Sequence, residues 1–259
     1  MADARKKILI TGATGGIGAR LEKRLTGDYD VVPHGRTPID DEQAARLQRA
    51  DLENYDEVLT LMDGVDVVVH LAGQASPEAT WDEVVGPNIV GLRNVLEAAR
   101  ETGVRRVVFA SSNHAMGMYD RDEQWPVYPH SLPRPDSLYG VSKVFGETLG
   151  RFYHDKYGME FIALRIGWMT DDPRAADVEL LHAMWLSEDD CEQVFRRAIE
   201  ADATFGLYYA ISDNPNRRWS LTNTTVELGY RPQDSFAALA EEDVVEGGAA
   251  TPDNWPEGS

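Results

Sequence analysis

Tyr139 and Lys143, four residues apart in the run Tyr139-Gly140-Val141-Ser142-Lys143, form a pair able to take a proton from an alcohol. On a helix this spacing projects both side chains from one face. A phenol with an ordinary pKa near 10 is a poor base at neutral pH; a neighbouring cation favours the phenolate, by about 1.4 kcal/mol for each unit of lowering. The pair alone is common, and its weight comes from its company. Ser112, in Ser111-Ser112-Asn113-His114, closes a predicted strand ahead of that helix, at the edge where ligands sit in open α/β sheets. Its hydroxyl can hold a substrate alcohol oxygen while Tyr139 removes the proton and hydride leaves for an acceptor. Ser111 reads as a turn or capping residue, His114 as a substrate contact, and His70, inside an apolar run, as a core residue.

The acceptor is suggested by Thr11-Gly12-Ala13-Thr14-Gly15-Gly16-Ile17-Gly18, placed between a strand and a helix. Glycines at 12, 15 and 18 permit a tight turn and close approach of a pyrophosphate to the helix N-terminus, so the loop points to a nicotinamide dinucleotide. An oxidised nicotinamide ring would also favour the phenolate of Tyr139. The second strand ends Val32-Pro33-His34-Gly35-Arg36-Thr37, without the carboxylate that takes the ribose hydroxyls of NAD. A carboxylate repels a 2′-phosphate and a guanidinium binds one, so Arg36 favours NADP, with NAD still possible. The alternative for Arg36 is a solvated loop residue. Asp51 and Leu52 are placed to meet the adenine, and Asp51 also suits a helix cap.

These residues need a frame. Apolar β-rich runs alternate with helical patterns, which predicts an α/β fold with a doubly wound parallel sheet. Strands are expected at 7–11, 30–34, 66–71, 106–110, 160–165 and 207–211, with a further short strand ending near Ala50. Helices are expected at 17–25, 55–62, 80–101 and 137–157, and from an N-cap at Ser187 through Glu200. The expected division is a dinucleotide-binding core over 1–166, a small substrate-binding part interleaved with it over 167–245, and a frayed tail over 246–259.

A chain of 259 residues buries roughly three quarters of its unfolded surface and needs no disulfide or structural metal. Cys191 is the single cysteine, and no His, Asp or Glu cluster has ligand spacing. The net charge of −19 argues against nucleic acid as a partner and resembles surfaces adapted to a high-salt cytoplasm. No apolar run suits a signal peptide or a membrane span, so a cytoplasmic protein is expected.

Together TGATGGIG, the HLAG of His70 to Gly73, Ser112, Tyr139 and Lys143 resemble the extended short-chain dehydrogenase/reductase family over essentially the whole chain. Within it, FASSNH at 109–114, LYGVSK at 138–143 and RIG at 165–167 look like uronate dehydrogenases and haloarchaeal sugar 1-dehydrogenases. The resemblance implies a Rossmann core, a Ser112–Tyr139–Lys143 catalytic set, a lactone product and a homo-oligomer. It implies further that Leu71, Ala72 and Gly73 line the cofactor, that Lys143 binds its ribose, and that Ser76, Asn113 and His114 contact the sugar.

Two departures bear on the substrate. Where relatives that bind a charged sugar place an arginine this chain has Leu180, and Trp168 stands where a small polar residue is usual. An apolar wall without a guanidinium would desolvate a carboxylate or phosphate without compensation. The expectation is an NADP-preferring aldose 1-dehydrogenase acting on a neutral sugar of L-arabinose or D-galactose type. A uronate or glucose 6-phosphate dehydrogenase, with Arg174 as the cation, is the alternative enzyme. A redox sensor that holds NADP without turnover is the alternative from another class.

Overall fold

All four residues of Val67–His70 are buried, as are all seven of Arg106–Ser112, which requires strands covered on both faces. The computed structural model describes residues 5–170 and 172–239, and it places these two strands at the centre of a six-stranded sheet. In chain order the elements are β1 (Lys7–Thr11), α1 (Gly16–Leu25), β2 (Asp30–His34), α2 (Asp41–Arg46), α3 (Tyr55–Leu61), β3 (Val67–His70) and α4 (Trp81–Val84). A π-helical stretch (Val85–Gly91) leads into α5 (Leu92–Thr102), β4 (Arg106–Ser112), α6 (Gly117–Arg121), α7 (Leu138–Tyr157), β5 (Glu160–Ile166) and β6 (Trp168–Met169). Then follow α8 (Glu179–Ala183), β7 (Trp185–Leu186), α9 (Glu188–Glu200), β8 (Phe205–Ala210) and α10 (Thr222–Glu227).

The sheet runs β2-β1-β3-β4-β5-β8 and every pairing is parallel, the doubly wound, Rossmann-type architecture that the alternation predicts. Strand alternation divides the core. Ile8 and Ile10 of β1 face a layer with Leu21, Leu25, Val194 and Phe195, whereas Leu9 between them faces Val58, Leu61, Val95 and Leu96. The chain after β5 does not stand apart. β8 completes the sheet edge, and α9 is tied to α1 through Arg24, whose guanidinium meets Glu188 at 2.8 Å and Glu192 at 2.7 Å. The two-stranded pair β6–β7 hangs on this edge, with the Gly167 N–H donating to Ala210 at 3.1 Å and the Ser212 N–H to Trp185 at 3.0 Å.

Two expected elements take other forms. The strand ending near Ala50 is only a bridge between His34 and Gln48, preceded by α2. Pro33 accepts from the Gln48 N–H at 2.8 Å on the outer edge of β2, but its own nitrogen has no hydrogen to extend the ladder. The helix expected over 80–101 is interrupted by the π-helical stretch, in which Pro87 cannot donate and its ring crowds the preceding turn. The expected tail lies outside the described residues. Among the described residues no helix is long and apolar enough to cross a membrane.

Candidate active site

Strand order reverses at β1 and β3, so a crevice opens beyond their C-terminal ends. It is a cleft of about 550 Å³ lined by Gly12, Gly15, Gly16, Ile17, Gly18, Leu71 and Gly73 at one end, and by Ser112, Tyr139 and Lys143 at the other. Gly12 has φ +75°, and a Cβ there would lie 2.7 Å from the Ala72 nitrogen, so backbone meets backbone where the loop turns. A Cβ on Gly18 would collide with the Gly12 carbonyl. Gly15 caps α1 without a side chain, leaving first-turn N–H groups for an anion. This loop and the buried ammonium beyond it fit a dinucleotide: glycine-bounded N–H groups for the pyrophosphate, Lys143 for a ribose.

At the far end the three polar side chains come from two elements. Ser112 ends β4, and Tyr139 and Lys143 lie one turn apart on α7, whose start is fixed by the Ser137 hydroxyl accepting from the Gly140 N–H at 3.0 Å. Lys143 is buried and donates to the Ala110 carbonyl at 2.8 Å, with its nitrogen 5.0 Å from the Phe109 ring centre and 5.3 Å from that of Tyr139. Burial pushes its pKa down to about 8, and Glu147 opposes the shift. Burial raises the Tyr139 phenol, with Asp136 adding to the rise and a hydrogen bond from Ser112 countering it. Burial thus opposes the phenolate that a neighbouring cation favours. The ammonium lies over the Tyr139 ring, and burial is the largest influence on the phenol.

The other predicted site residues occupy varied places. Ala72 closes on Gly12 through its backbone. Arg36 is exposed and has no hydrogen bond or ion pair among the described residues. Asp51 accepts from the Glu53 N–H at 3.0 Å just before α3, and Leu52 is buried in the core. Ser76 sits in the loop after Gly73, its hydroxyl accepting from the Glu78 N–H at 3.2 Å. Asn113 is buried and donates to the Met184 sulfur at 2.7 Å. His114 packs edge-on to Tyr139, with ring centres 5.7 Å apart, and its Nδ1 lies 2.9 Å from Asp136. Trp168 and Met169 both pack against the core, and of the two Met169, with Thr170, lines the cleft. His70 is a core residue paired with Thr11 at 2.8 Å and kept neutral, its pKa pushed down to about 3 by burial and Lys143.

Several contributors were not legible in the sequence. Gln74, Ala75, Met169 and Thr170 complete the wall, and Arg20 lines the cofactor end. Asn88, inside the π-helical stretch, pins the loop: its Oδ1 accepts from the Gln74 N–H at 2.7 Å and its Nδ2 donates to Ser142 at 2.8 Å. The Gly86-Pro87 break in a helical pattern was the available signal for it.

The NAD dependent epimerase/dehydratase profile matches residues 8–169, a span holding both the glycine loop and the Ser–Tyr–Lys set. The chain belongs to this family. Among its relatives, the NAD-dependent glucose-6-phosphate dehydrogenase of Haloferax volcanii is 40% identical over 251 residues, covering 91% of this chain and 96% of that protein. The L-arabinose 1-dehydrogenase (NAD(P)(+)) of the same organism is 40% identical over 258 residues, covering 91% and 99%. The crystal structure of the glucuronic acid dehydrogenase from Chromohalobacter salexigens superposes with a TM-score of 0.84 at 34% identity, covering 96% of this chain and 92% of that one. Membership joins the chain to an extended short-chain dehydrogenase/reductase group, and its likeness to these sugar dehydrogenases makes it an NAD(P)-dependent oxidoreductase.

Proposed function

We propose that this family member is a sugar dehydrogenase that oxidises the anomeric hydroxyl of a neutral aldose, of L-arabinose or D-galactose type, to the lactone, with preference for NADP. The observation that carries the neutral-sugar reading is the wall around Ser112 and Tyr139. Gln74, Ala75, Met169 and Thr170 are uncharged, and the lining cations among the described residues are Lys143 and Arg20, the latter at the glycine loop where it donates to Gly16 at 2.7 Å. A sugar carboxylate or phosphate would lose its water there without a guanidinium in return. NADP preference is supported at Gly35, where a side chain would run into Thr14 and no carboxylate stands, and by the unengaged Arg36 beside it.

Gly12, Gly15, Gly18 and Lys143 would hold the dinucleotide, which when bound supplies the acceptor for the hydride lost from C1. Ser112 orients the anomeric oxygen through its hydroxyl. Tyr139, in its phenolate form, takes the hydroxyl proton, and the C1–O bond becomes the lactone carbonyl as the hydride leaves C1. Lys143 contributes positive charge on the ring face. Because burial holds the phenol proton, turnover should rise with pH through neutrality. Tyr139→Phe should lower kcat by about 10²- to 10⁴-fold.

A charged sugar is the second reading, favoured by Arg174, exposed near the end of the wall and 3.4 Å from Asp172. Initial rates at high salt with NADP and NAD, across L-arabinose, D-galactose, D-xylose, D-glucose, glucose 6-phosphate, glucuronate and galacturonate, separate the two. Faster turnover of a neutral sugar with NADP supports the first reading; preference for uronate or phosphate replaces it with the second.

A further inference from the structure

One turn beyond Lys143 on α7, Glu147 is 4% exposed and its carboxylate is fully engaged. Oε1 accepts from the Ser111 hydroxyl at 2.6 Å and from Arg165 Nε at 2.8 Å, and Oε2 accepts from Arg165 Nη2 at 2.8 Å. Arg165 is fully buried on β5, with its remaining nitrogen 3.3 Å from the Pro129 carbonyl and 3.4 Å from the Tyr209 hydroxyl. The helix approaches the sheet closely here. A Cβ on Gly146 would lie 2.5 Å from the Phe109 ring, and one on Gly150 would enter that of Phe161. Three consecutive residues of β4 thus serve one helix: the Ala110 carbonyl holds Lys143, Ser111 holds Glu147, and Ser112 faces Tyr139.

A buried ion pair is poor evidence for stability, since well-packed apolar residues of similar volume often hold a core as well. We propose that Glu147 is a positioning residue for the reaction: it fixes the register between the helix bearing Tyr139 and Lys143 and the strand bearing Ser112, and places a carboxylate one helical turn from Lys143. The inference rests on the Ser112–Tyr139–Lys143 assignment, but its first readout is independent of turnover.

The groups that face Lys143 are few. On its own helix are Tyr139 and Glu147; from β3 comes His70, neutral; from β4 come the Phe109 ring and the Ala110 carbonyl. Arg165 stands behind Glu147, and Asp136 and His114 bear on Tyr139 from the loop before α7. Removing the Glu147 charge would leave Arg165 uncompensated and take away the carboxylate one helical turn from Lys143.

The test labels lysine with ¹³C at the ε carbon and follows its shift against pH; the chain has only five lysines, and Lys143→Met assigns the signal. The wild-type midpoint should lie near about 8. Glu147→Gln should lower it by roughly one unit or more, and Glu147→Asp should restore most of that shift while remaining less heat-stable. Ser111→Ala, which changes no charge, should leave the midpoint within about 0.3 unit yet reduce kcat roughly tenfold through lost register. An unmoved midpoint in Glu147→Gln overturns the charge role, whatever its melting temperature. Should that variant fail to fold, a wild-type kcat in Ser111→Ala overturns the proposal. If instead Tyr139→Phe retains turnover, the catalytic assignment fails and the lysine titration still reports on Glu147.

Discussion

The two ends of the cleft are built in opposite ways. The cofactor end is almost one stretch of chain, Thr11 to Gly18, closed from the side by Leu71 to Gly73. The sugar end is gathered from Gln74 and Ala75, the end of β4, the start of α7, and Met169 and Thr170. Backbone geometry shapes the first end, so glycines carry it; side chains held by other side chains shape the second, as when Asn88 pins Gln74 or Asp136 holds His114. A site made of consecutive backbone is defined by few residue choices and tolerates little change. One assembled from distant segments can be retuned position by position.

That contrast can be broken or sharpened. Gly12→Val forces a side chain into a φ of +75° against the Ala72 backbone, a cost of about 1–3 kcal/mol or more that should weaken cofactor binding roughly 10- to 100-fold. Cofactor fluorescence titration measures this, and unaltered affinity would show that the loop does not carry the dinucleotide.

Lys143 joins the two ends, and its burial opposes stability. Its folded pKa is depressed from 10.5 to about 8, so the folded state binds fewer protons than the unfolded one between those values and stability rises with pH across that window. Lys143→Met should therefore gain on the order of 3 kcal/mol below pH 8, a gain that fades toward pH 10.5, while losing activity. Melting temperatures across that range test it, and a variant less stable throughout would contradict it.

Arg36→Ala should raise the KM for NADP roughly tenfold and leave that for NAD unchanged, because only the 2′-phosphate offers a charge-assisted bond. Equal effects on both cofactors would return Arg36 to the solvated loop. Met169→Ala should change the sugar KM by about fivefold with no change for the cofactor, as expected for one altered contact in a pocket wall. The smallest effect is expected next door. Trp168→Phe should keep the sugar KM within about twofold and cost about 1 kcal/mol of stability, since that ring packs on the core. A larger effect at Trp168 than at Met169 would reverse the orientation assigned to this strand.

Most of the fold was legible because its signals are local. The strands at 7–11 and 30–34 and the N-cap at Ser187 stand where residue type alone puts them. The strand expected near Ala50 shrinks to a bridge because its pairing depends on what Pro33 can donate across the edge. The helix over 80–101 was read as unbroken because amphipathic periodicity continues on both sides of Pro87. Trp185 pairs in register with Trp168, 17 positions earlier, a relation that no local pattern encodes.

By itself the sequence determined the architecture, the dinucleotide loop and the candidate Ser112, Tyr139 and Lys143 set, because hydrophobic period, glycine spacing and i,i+4 geometry are properties of neighbouring residues. Only the tertiary structure decided that Lys143 lies buried over the Tyr139 ring, that desolvation pushes the phenol's pKa up, that Met169 rather than Trp168 lines the cleft, and that Glu147 ties α7 to β4 and β5. Each of these depends on burial and on contacts between residues far apart in the chain. Desolvation and charge–charge energies follow from those distances, not from order along the chain.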